Sequence, residues 1–243
     1  MPTETLMRPI TVFACLITLG CLLSFKIEAA SLEISPLNVS FAPGQTATTI
    51  EVRNRGGAPV AIQARAYSWL QAGDDDDLAP TQEIILSPPI FTIPEGAAQT
   101  MRLLLRGAVG VERERTYRLL LVEVPAANTG RREIVMVLRV SLPVIAAAAS
   151  SATPVLRWSA ERGRDGQTVL TATNAGTTYD RVAAIGVTLS DGRHPKVVSR
   201  GNNPYVLPGA QRHWVVQGGG LPGGPLRLTV TTQVGKSEQT LTP

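Results

Sequence analysis

Cysteine is nearly absent from this 243-residue sequence, and motifs that carry enzymatic chemistry are missing. The two cysteines, Cys15 and Cys21, both lie within the first thirty residues. The rest of the chain therefore has no disulfide framework, no thiolate metal site and no cysteine nucleophile. We also find no G-x-S-x-G, P-loop, H-E-x-x-H or C-x-x-C motif. These absences argue against an enzyme and predict no catalytic residue, no metal site and no cofactor.

Charged residues make up only 17% of the chain and aromatic residues only 5%. The formal net charge is +4 at pH 7, and no run of basic residues is longer than the pair Arg131–Arg132. Nucleic-acid binding needs a basic stripe with interleaved aromatic side chains, so no nucleic-acid partner is predicted. With 44% hydrophobic residues, the composition is typical of a packed globular protein.

Residues 9–25 form an almost unbroken apolar run, preceded by an arginine and followed by two alanines at 29 and 30. This pattern predicts a secretory signal peptide over residues 1–30, and therefore export without stable membrane insertion after cleavage. A retained membrane anchor is the alternative, since about 17 apolar residues lie at the short limit of a spanning helix. A lipoprotein cleaved at Cys21 is a third possibility.

From Ser31 onward the sequence predicts strands throughout and no amphipathic helix of ten residues or more. Short alternating or β-branched segments are separated by turn residues such as Pro43-Gly44. Strands at ~8–12-residue spacing are typical of antiparallel sandwiches. The small-residue stretch at 147–154 predicts a linker. We therefore expect an all-β protein with two sandwich domains in tandem, at residues 31–146 and 155–243.

A run of four aspartates, Asp74–Asp77, and two isolated histidines are the polar features to explain. The aspartates could coordinate calcium through their carboxylates, but adjacent residues lack the spaced-ligand pattern of such sites. They are predicted to form a solvated loop tip. His194 is predicted to be an exposed turn residue and His213 a surface strand residue, neither with an obvious partner.

The segment from Arg131 to Ala146 is apolar on both faces of a predicted strand. A strand of this kind must be covered on both faces, whereas an exposed edge usually carries charges that prevent pairing. The strand is therefore either a central strand buried by its own protein or a strand that is available to a partner's open sheet. The residues that share one face include Ile134, Met136, Leu138 and Val140.

Three segments of the first predicted domain occur in a characteristic order. They are PPIFTIPEGAAQTMRL (88–103), YRLLLVEVP (117–125) and a long strand that ends in RVSLPVIA. This series resembles the periplasmic chaperones of chaperone–usher pili, over residues 31 to about 146. The RVSLPVIA ending and the VEVP turn are closer to the archaic, Csu-like branch than to the branch that assembles P and type 1 pili. The second domain matches only in length and β character.

The resemblance implies two immunoglobulin-like β-sandwich domains set in an L, and a non-enzymatic function in the periplasm. It further implies that the chain binds pilin subunits by donating a β-strand and delivers them to an outer-membrane usher. On this basis the side chains donated to the pilin would be Ile134, Met136, Leu138 and Val140.

The resemblance also directs attention to a carboxylate anchor. The better-studied branch holds the C-terminal carboxylate of the pilin with an Arg in the first strand and a Lys late in the donated strand. The matching positions here are Asn38 and Ser141, so the anchor must differ. An arginine could supply a bidentate bond to a carboxylate. The candidates are Arg139, Arg102 and Arg118. The alternative for each is a surface arginine that balances Glu112, Glu114 or Glu123.

Two other functions stay open from the residues alone. One is a secreted structural or adhesive protein, such as a pilus component. Such a subunit would begin with a donor extension before a single domain that lacks its last strand, whereas Ser31 leads directly into a predicted strand. The other is a sugar-active or hydrolytic enzyme on a sandwich scaffold, which would need paired carboxylates in a cleft. The scattered glutamates do not suggest one.

Overall fold

The computed structural model of the chain describes residues 31–107, 112–125, 136–148, 153–163, 166–218 and 224–243. The predicted signal peptide and Ile134 lie outside the described residues. The described part consists of strands and turns, which confirms the all-β prediction. In these ranges no helix is long and apolar enough to cross a membrane.

Ten strands precede residue 147. They are β1 (Leu32–Ser35), β2 (Val39–Phe41), β3 (Ala47–Asn54), β4 (Val60–Ala72), β5 (Asp75–Pro80), β6 (Ile84–Ser87), β7 (Ile90–Ile93), β8 (Ala98–Leu105), β9 (Arg115–Val124) and β10 (Arg139–Ala146). Eight more follow: β11 (Leu156–Arg162), β12 (Thr168–Asn174), β13 (Asp180–Thr188), β14 (Val197–Ser199), β15 (Tyr205–Val206), β16 (Gln211–Val216), β17 (Leu226–Thr232) and β18 (Lys236–Leu241).

The first ten strands form a sandwich of two sheets, which we call sheet 1 and sheet 2. Sheet 1 has the order β1-β3-β8-β6, and sheet 2 has the order β2-β10-β9-β4-β5, with β7 also paired to β4. Alternation explains the two layers, because every second residue of a strand points to the same face. In β8, for example, Met101 and Leu103 are buried while Arg102 is exposed.

The last eight strands form a second sandwich. Sheet 3 has the order β11-β12-β16-β14, and sheet 4 has the order β15-β13-β17-β18. Its core is again built from the inward residues of both sheets, among them Leu170, Val187 and Leu228. The strands of the two sandwiches end at Ala146 and begin again at Leu156. The exact boundaries of the predicted linker stay a prediction.

Each sandwich contains a buried asparagine that holds a turn in place. The Asn54 side-chain amide donates to the carbonyls of Ala58 and Ile93, and its oxygen accepts from the Gly56 N–H. In the second sandwich Asn174 makes the equivalent set of bonds, as donor to Thr178 and Val206 and as acceptor from Gly176. Asn54 ends β3 and Asn174 ends β12, which are the second strands in the orders of sheet 1 and sheet 3. In both turns a glycine follows two residues after the asparagine. The two sandwiches therefore stabilise corresponding turns with the same set of side-chain hydrogen bonds.

The sandwiches meet at a small apolar cluster. Trp69 and Ile145 come from the outer face of sheet 2, and Leu207 and Ala210 come from the second sandwich. The Trp69 and Tyr205 rings contact each other edge to face, with centroids 5.3 Å apart. The strand β10 thus packs against the second sandwich at its C-terminal end.

Candidate functional site

Strand β10 has one open edge. On one side it pairs antiparallel with β9 along all eight of its residues. On the other side β2 pairs in parallel with only the last three, Val144 to Ala146. Among the described residues, the edge of β10 from Arg139 to Pro143 therefore has no strand beside it.

The hydrogen-bond pattern identifies the backbone groups that face this open edge. The N–H of Glu123 donates to the carbonyl of Leu138 at 2.9 Å, so Leu138 faces β9. Alternate residues of an antiparallel ladder face the same side, so the even-numbered residues that follow also face β9. The N–H groups of Arg139 and Ser141 consequently point to the open edge. Pro143, which has no N–H, separates this part from the segment that pairs with β2.

Three of the four predicted donor side chains, Met136, Leu138 and Val140, lie in the described residues, at or just before the start of this edge. Val140 packs on the core of the first sandwich. Leu138 is half-buried, and Met136 is 89% exposed. The next residue, Val137, is 45% exposed, so two consecutive large apolar side chains are accessible to solvent. An apolar surface of this kind beside unpaired strand edges marks an interaction site or an aggregation hazard.

The segment is buried in its second half and has an open edge in its first half. From Leu142 onward β10 is a buried strand, since Leu142 and Val144 face the core and Ile145 packs at the junction between the sandwiches. From Arg139 to Ser141 the edge away from β9 has no strand beside it among the described residues. The strand itself begins at Arg139, later than the predicted segment, although Leu138 already bonds to Glu123.

The three predicted anchor arginines do not lie together. Arg139 is exposed on the outer face of sheet 2, next to the open edge. Arg102 is exposed on β8, in the middle of sheet 1, so it points away from Arg139 on the other side of the sandwich. These two side chains cannot hold one carboxylate together.

Arg118 is buried at the junction of the sandwiches. Its guanidinium carbon lies 3.7 Å from the centre of the Trp69 ring, and its Nη2 lies 3.7 Å from Asp76 Oδ2. Burial lowers its pKa, while the charge of Asp76 opposes that shift. Its ion-pair partner is thus Asp76, not one of the glutamates that the sequence suggested. Both contacts lie within the first sandwich, and across the junction the Arg118 guanidinium carbon lies 5.5 Å from the centre of the Tyr205 ring.

The sequence reasoning missed Arg65 as a neighbour of the open edge. Ser141 pairs with Leu120, and Leu120 pairs with Arg65 on the next strand, so the three residues form a row across sheet 2. Arg65 is exposed and lies about 10 Å from Ser141, two strand spacings away. The outer face near the open edge thus carries two exposed arginines, Arg65 and Arg139. The alternation within β4 places Arg65 outward, but the strand order needed to place it near β10 is not readable from the sequence.

Two of the four aspartates, Asp74 and Asp76, belong to the junction, which corrects the prediction of a solvated loop tip for these two, while Asp75 and Asp77 are exposed. Asp76 Oδ1 lies 2.6 Å from Nη2 of Arg212, a residue that is only 2% exposed. Asp74 Oδ1 lies 3.0 Å from His213 Nδ1 and accepts the His213 backbone N–H at 2.8 Å. His213 therefore has a partner, contrary to the prediction. The hairpin between β4 and β5 links the two sandwiches through these bonds.

The charged groups of this junction shift the pKa of Asp76. Burial opposes ionisation of this carboxyl, but the Trp69 indole N–H, the Asn203 amide and the guanidinium groups of Arg212 and Arg118 outweigh it and lower the pKa. The Trp69 N–H lies near the carboxylate without the geometry of a full hydrogen bond. Asp76 is thus a carboxylate at neutral pH, as its two arginine neighbours require.

A second acid at the junction is shifted in the opposite direction. Burial raises the pKa of Glu114 to about 7, although the backbone N–H of Tyr179 donates to its Oε1 and opposes that shift. Glu114 also lines a cavity of about 410 Å³ between the sandwiches, with Leu70 and Leu207 among the apolar residues. Three other polar residues at this cavity bond to one another, since the Glu83 carboxylate accepts from the Tyr117 hydroxyl and the Arg115 guanidinium.

Groups that could carry out catalysis or hold a metal do not converge in the described ranges. His194 lies on an exposed turn, where its Nδ1 is 3.1 Å from Thr188 Oγ1. In these ranges no group of three His, Cys, Asp or Glu side chains is placed to bind a metal ion. The arrangement offers an apolar strand edge and two arginines, which suit binding of an extended polypeptide.

Comparisons with known proteins agree with this geometry. Residues 31–149 match the family model described as pili and flagellar-assembly chaperone, PapD N-terminal domain. Over 107 residues the chain is 29% identical to the chaperone protein FimB/FhaD of Bordetella pertussis, a match that covers 41% of this chain and 42% of that relative. The match thus spans less than half the length of that curated relative.

Solved structures share the fold of the whole described chain. A chain of the CsuC-CsuE chaperone-tip adhesion subunit pre-assembly complex, from archaic chaperone-usher Csu pili of Acinetobacter baumannii, superposes with a TM-score of 0.65 at 22% identity, covering 88% of this chain and 99% of that chain. The CupB2 chaperone of Pseudomonas aeruginosa gives a TM-score of 0.57 at 18% identity, with coverages of 86% and 98%. The Salmonella enterica SafA pilin complex with the SafB chaperone gives 0.59 at 19% identity, with coverages of 88% and 97%. These likenesses confirm the prediction of two tandem β-sandwiches.

Proposed function

We propose that the chain binds pilin subunits by donating the open edge of β10, since residues 31–149 match the family model of pili and flagellar-assembly chaperones. The predicted resemblance to this family is confirmed by the family match. Strand donation, delivery to an outer-membrane usher and a periplasmic location are the finer parts of the proposal.

The observation that carries the proposal is the unpaired edge from Arg139 to Pro143, next to the exposed Met136 and Val137. A pilin that lacks a strand exposes a groove and an open edge of its own. Main-chain hydrogen bonds to Arg139 and Ser141 would supply affinity, and alternate side chains would fill the groove. Two of the similar solved structures are titled as complexes of a chaperone with a pilin or tip subunit, which supports a pilin as the partner.

The donated side chains in this proposal are Ile134, Met136, Leu138 and Val140. Val140 packs on the core to which Leu142 belongs, and the alternation of an extended segment assigns Leu138 and Met136 to the same side. A partner sheet added at the open edge would therefore extend the hydrophobic layer of the first sandwich without a break. Ile134 lies outside the described residues and keeps its role as a prediction from the sequence.

For the pilin carboxylate we propose Arg139, with Arg65 as a second positive charge on the same face. Arg139 flanks the open edge, and Arg65 lies in the same row as Ser141, the position that the resemblance identifies. Arg118 is engaged with Trp69 and Asp76, and Arg102 lies on the opposite sheet.

The test is co-purification of a co-expressed pilin with single variants of the chain. Met136→Asp and Leu138→Asp place a charge in the apolar groove, so we expect at least a tenfold loss of bound pilin. Ile85→Asp is the matched control, because Ile85 is a 38% exposed residue on β6 of sheet 1. It should leave pilin recovery unchanged.

The same assay tests the carboxylate anchor. Arg139→Ala should reduce recovery of the pilin about three- to tenfold, as expected for one partly exposed charge-assisted bond. Arg102→Ala serves as the control on the opposite sheet. Full recovery of pilin by both Met136→Asp and Leu138→Asp, in proteins that melt like the parent chain, would contradict strand donation.

A further inference from the structure

The second sandwich contains a cavity of about 370 Å³ where two edge strands approach each other. Strand β11 ends sheet 3 and strand β18 ends sheet 4, so no hydrogen-bonded ladder closes the sandwich here among the described residues. Binding pockets in proteins begin at about this volume. The residues that line the cavity and enter the argument are Pro154, Leu156, Trp158, Asp180, Lys236 and Glu238.

Asp180 is an unusual residue for this place. It is only 4% exposed and lies on the inward side of β13 with Val182, while Arg181 between them is exposed. Its Oδ1 accepts the backbone N–H of Arg181 at 2.7 Å. Within the described ranges no cation pairs with this carboxylate. A buried carboxylate is costly without a partner, so the open cavity is where a compensating positive charge would have to enter.

The other residues that line the cavity indicate which kind of cation would fit it. Trp158 is half-buried and packs against Trp214, with ring centroids 5.1 Å apart. Together with Pro154 and Leu156 it forms an apolar wall, and an indole face attracts a positive charge. At the rim Lys236 Nζ lies 3.6 Å from Glu238 Oε1, so these two charges balance. The charge left uncompensated in the cavity is that of Asp180.

We propose that this cavity binds a lysine or arginine side chain of a partner protein. The aliphatic stem of such a side chain would lie on Trp158 and Leu156, and its positive head would reach Asp180. The edges of β11 and β18 offer unpaired backbone groups on either side of the cavity, which suit an extended segment that carries the basic residue. This site is separate from the open edge of β10 and does not depend on the proposed function.

The probe for this site is the capped amino acid N-acetyl-arginine methylamide, with the N-acetyl-citrulline analogue as its neutral isostere. Titrations are followed by ¹⁵N NMR of the chain. We expect saturable shifts at the Trp158 indole and at residues 232–238 with the arginine probe, and at least tenfold weaker binding of the citrulline probe. Asp180→Asn should weaken the arginine probe at least tenfold, whereas Glu161→Gln, an exposed acid at the far end of β11, should not change it.

A pentapeptide with a central arginine between valines distinguishes binding of a polypeptide segment from binding of a free cation. It should bind more tightly than the capped residue and slow amide exchange along β18 or β11. Equal binding of the arginine and citrulline probes, shifts outside the cavity, or no effect of Asp180→Asn would overturn the site. A pentapeptide that binds no more tightly than the single residue would overturn the assignment to a protein segment. If Asp180→Asn fails to fold, the comparison of arginine with citrulline on the parent chain decides.

Discussion

Replacing Asp76 with Asn removes one negative charge from the junction between the two sandwiches and keeps the size of the side chain. In the parent chain this carboxylate lies 2.6 Å from Arg212 and 3.7 Å from Arg118, and it accepts the amide of Asn203. Arg212 is almost fully buried. In the variant its guanidinium would keep neutral acceptors, among them the backbone carbonyls of Asp74 and Tyr205, and would lose the negative charge of Asp76.

The expected loss of unfolding free energy depends on how deeply the ion pair is buried and on which hydrogen-bond acceptors remain in the variant. Removing one partner of a fully buried ion pair costs about 3–5 kcal/mol. The Asp76 side chain is 25% exposed, and two backbone carbonyls still accept from Arg212 in the variant. Both facts reduce the cost, so we expect a loss of about 1.5–3 kcal/mol of unfolding free energy at pH 7. The pKa of Asp76 is lowered from its ordinary value of 3.8 in the folded protein. Its contribution is therefore complete above that value and is lost as the pH falls through the folded pKa.

Calorimetric unfolding of the parent chain and of Asp76→Asn at a series of pH values measures this loss. Asp77→Asn is the matched control, because Asp77 is the exposed neighbour on the same strand. We expect the full difference at pH 7, a smaller difference as the pH approaches 3, and a change within about 0.5 kcal/mol for the control. Equal stability of Asp76→Asn and the parent at pH 7, or the same loss in Asp77→Asn, would refute the reasoning.

Two further predictions concern stability. Glu114 has a folded pKa of about 7, above its ordinary value of 4.5, so its protonated form stabilises the folded chain and this stability declines as pH rises through that window. Glu114→Gln keeps the acceptor for Tyr179 and should exceed the parent at pH 8 by about 1–3 kcal/mol, with little difference at pH 5; no gain at pH 8 would argue against the shift. Asn54→Ala and Asn174→Ala should each cost about 2–4 kcal/mol in the sandwich that holds the residue, measured by denaturant unfolding, and a loss below 1 kcal/mol would show that the turn bonds contribute little.

Local patterns in the sequence were enough to predict most strands and the two-sandwich architecture. The alternation in β8 and β4 is a property of neighbouring residues, so it can be read without knowing the pairing. The apolar character of residues 134–146 likewise identified the segment that carries the candidate site. What the pattern could not decide was which half of the segment is covered, because that depends on where β2 stops pairing with β10.

The junction was not predictable because its contacts join residues far apart in the chain. Asp76 and Arg212 are 136 residues apart, and neither has a local pattern that identifies the other. The aspartate run was consequently assigned to solvent, and His213 was left without a partner. Arg65 was missed for a related reason, since its position near Ser141 requires the strand order of sheet 2. Long-range strand order and domain packing are the information that the alternation of residues does not contain.

Amide hydrogen exchange along β10, with and without a bound pilin, tests strand donation most directly. The N–H groups of Arg139 and Ser141 face the open edge, whereas those of Val140 and Leu142 face β9 and act as internal controls. We predict fast exchange at Arg139 and Ser141 in the free chain, slowed at least 100-fold in the pilin complex, with Val140 and Leu142 protected in both states. Unchanged exchange at Arg139 and Ser141 in a saturated complex would contradict the account.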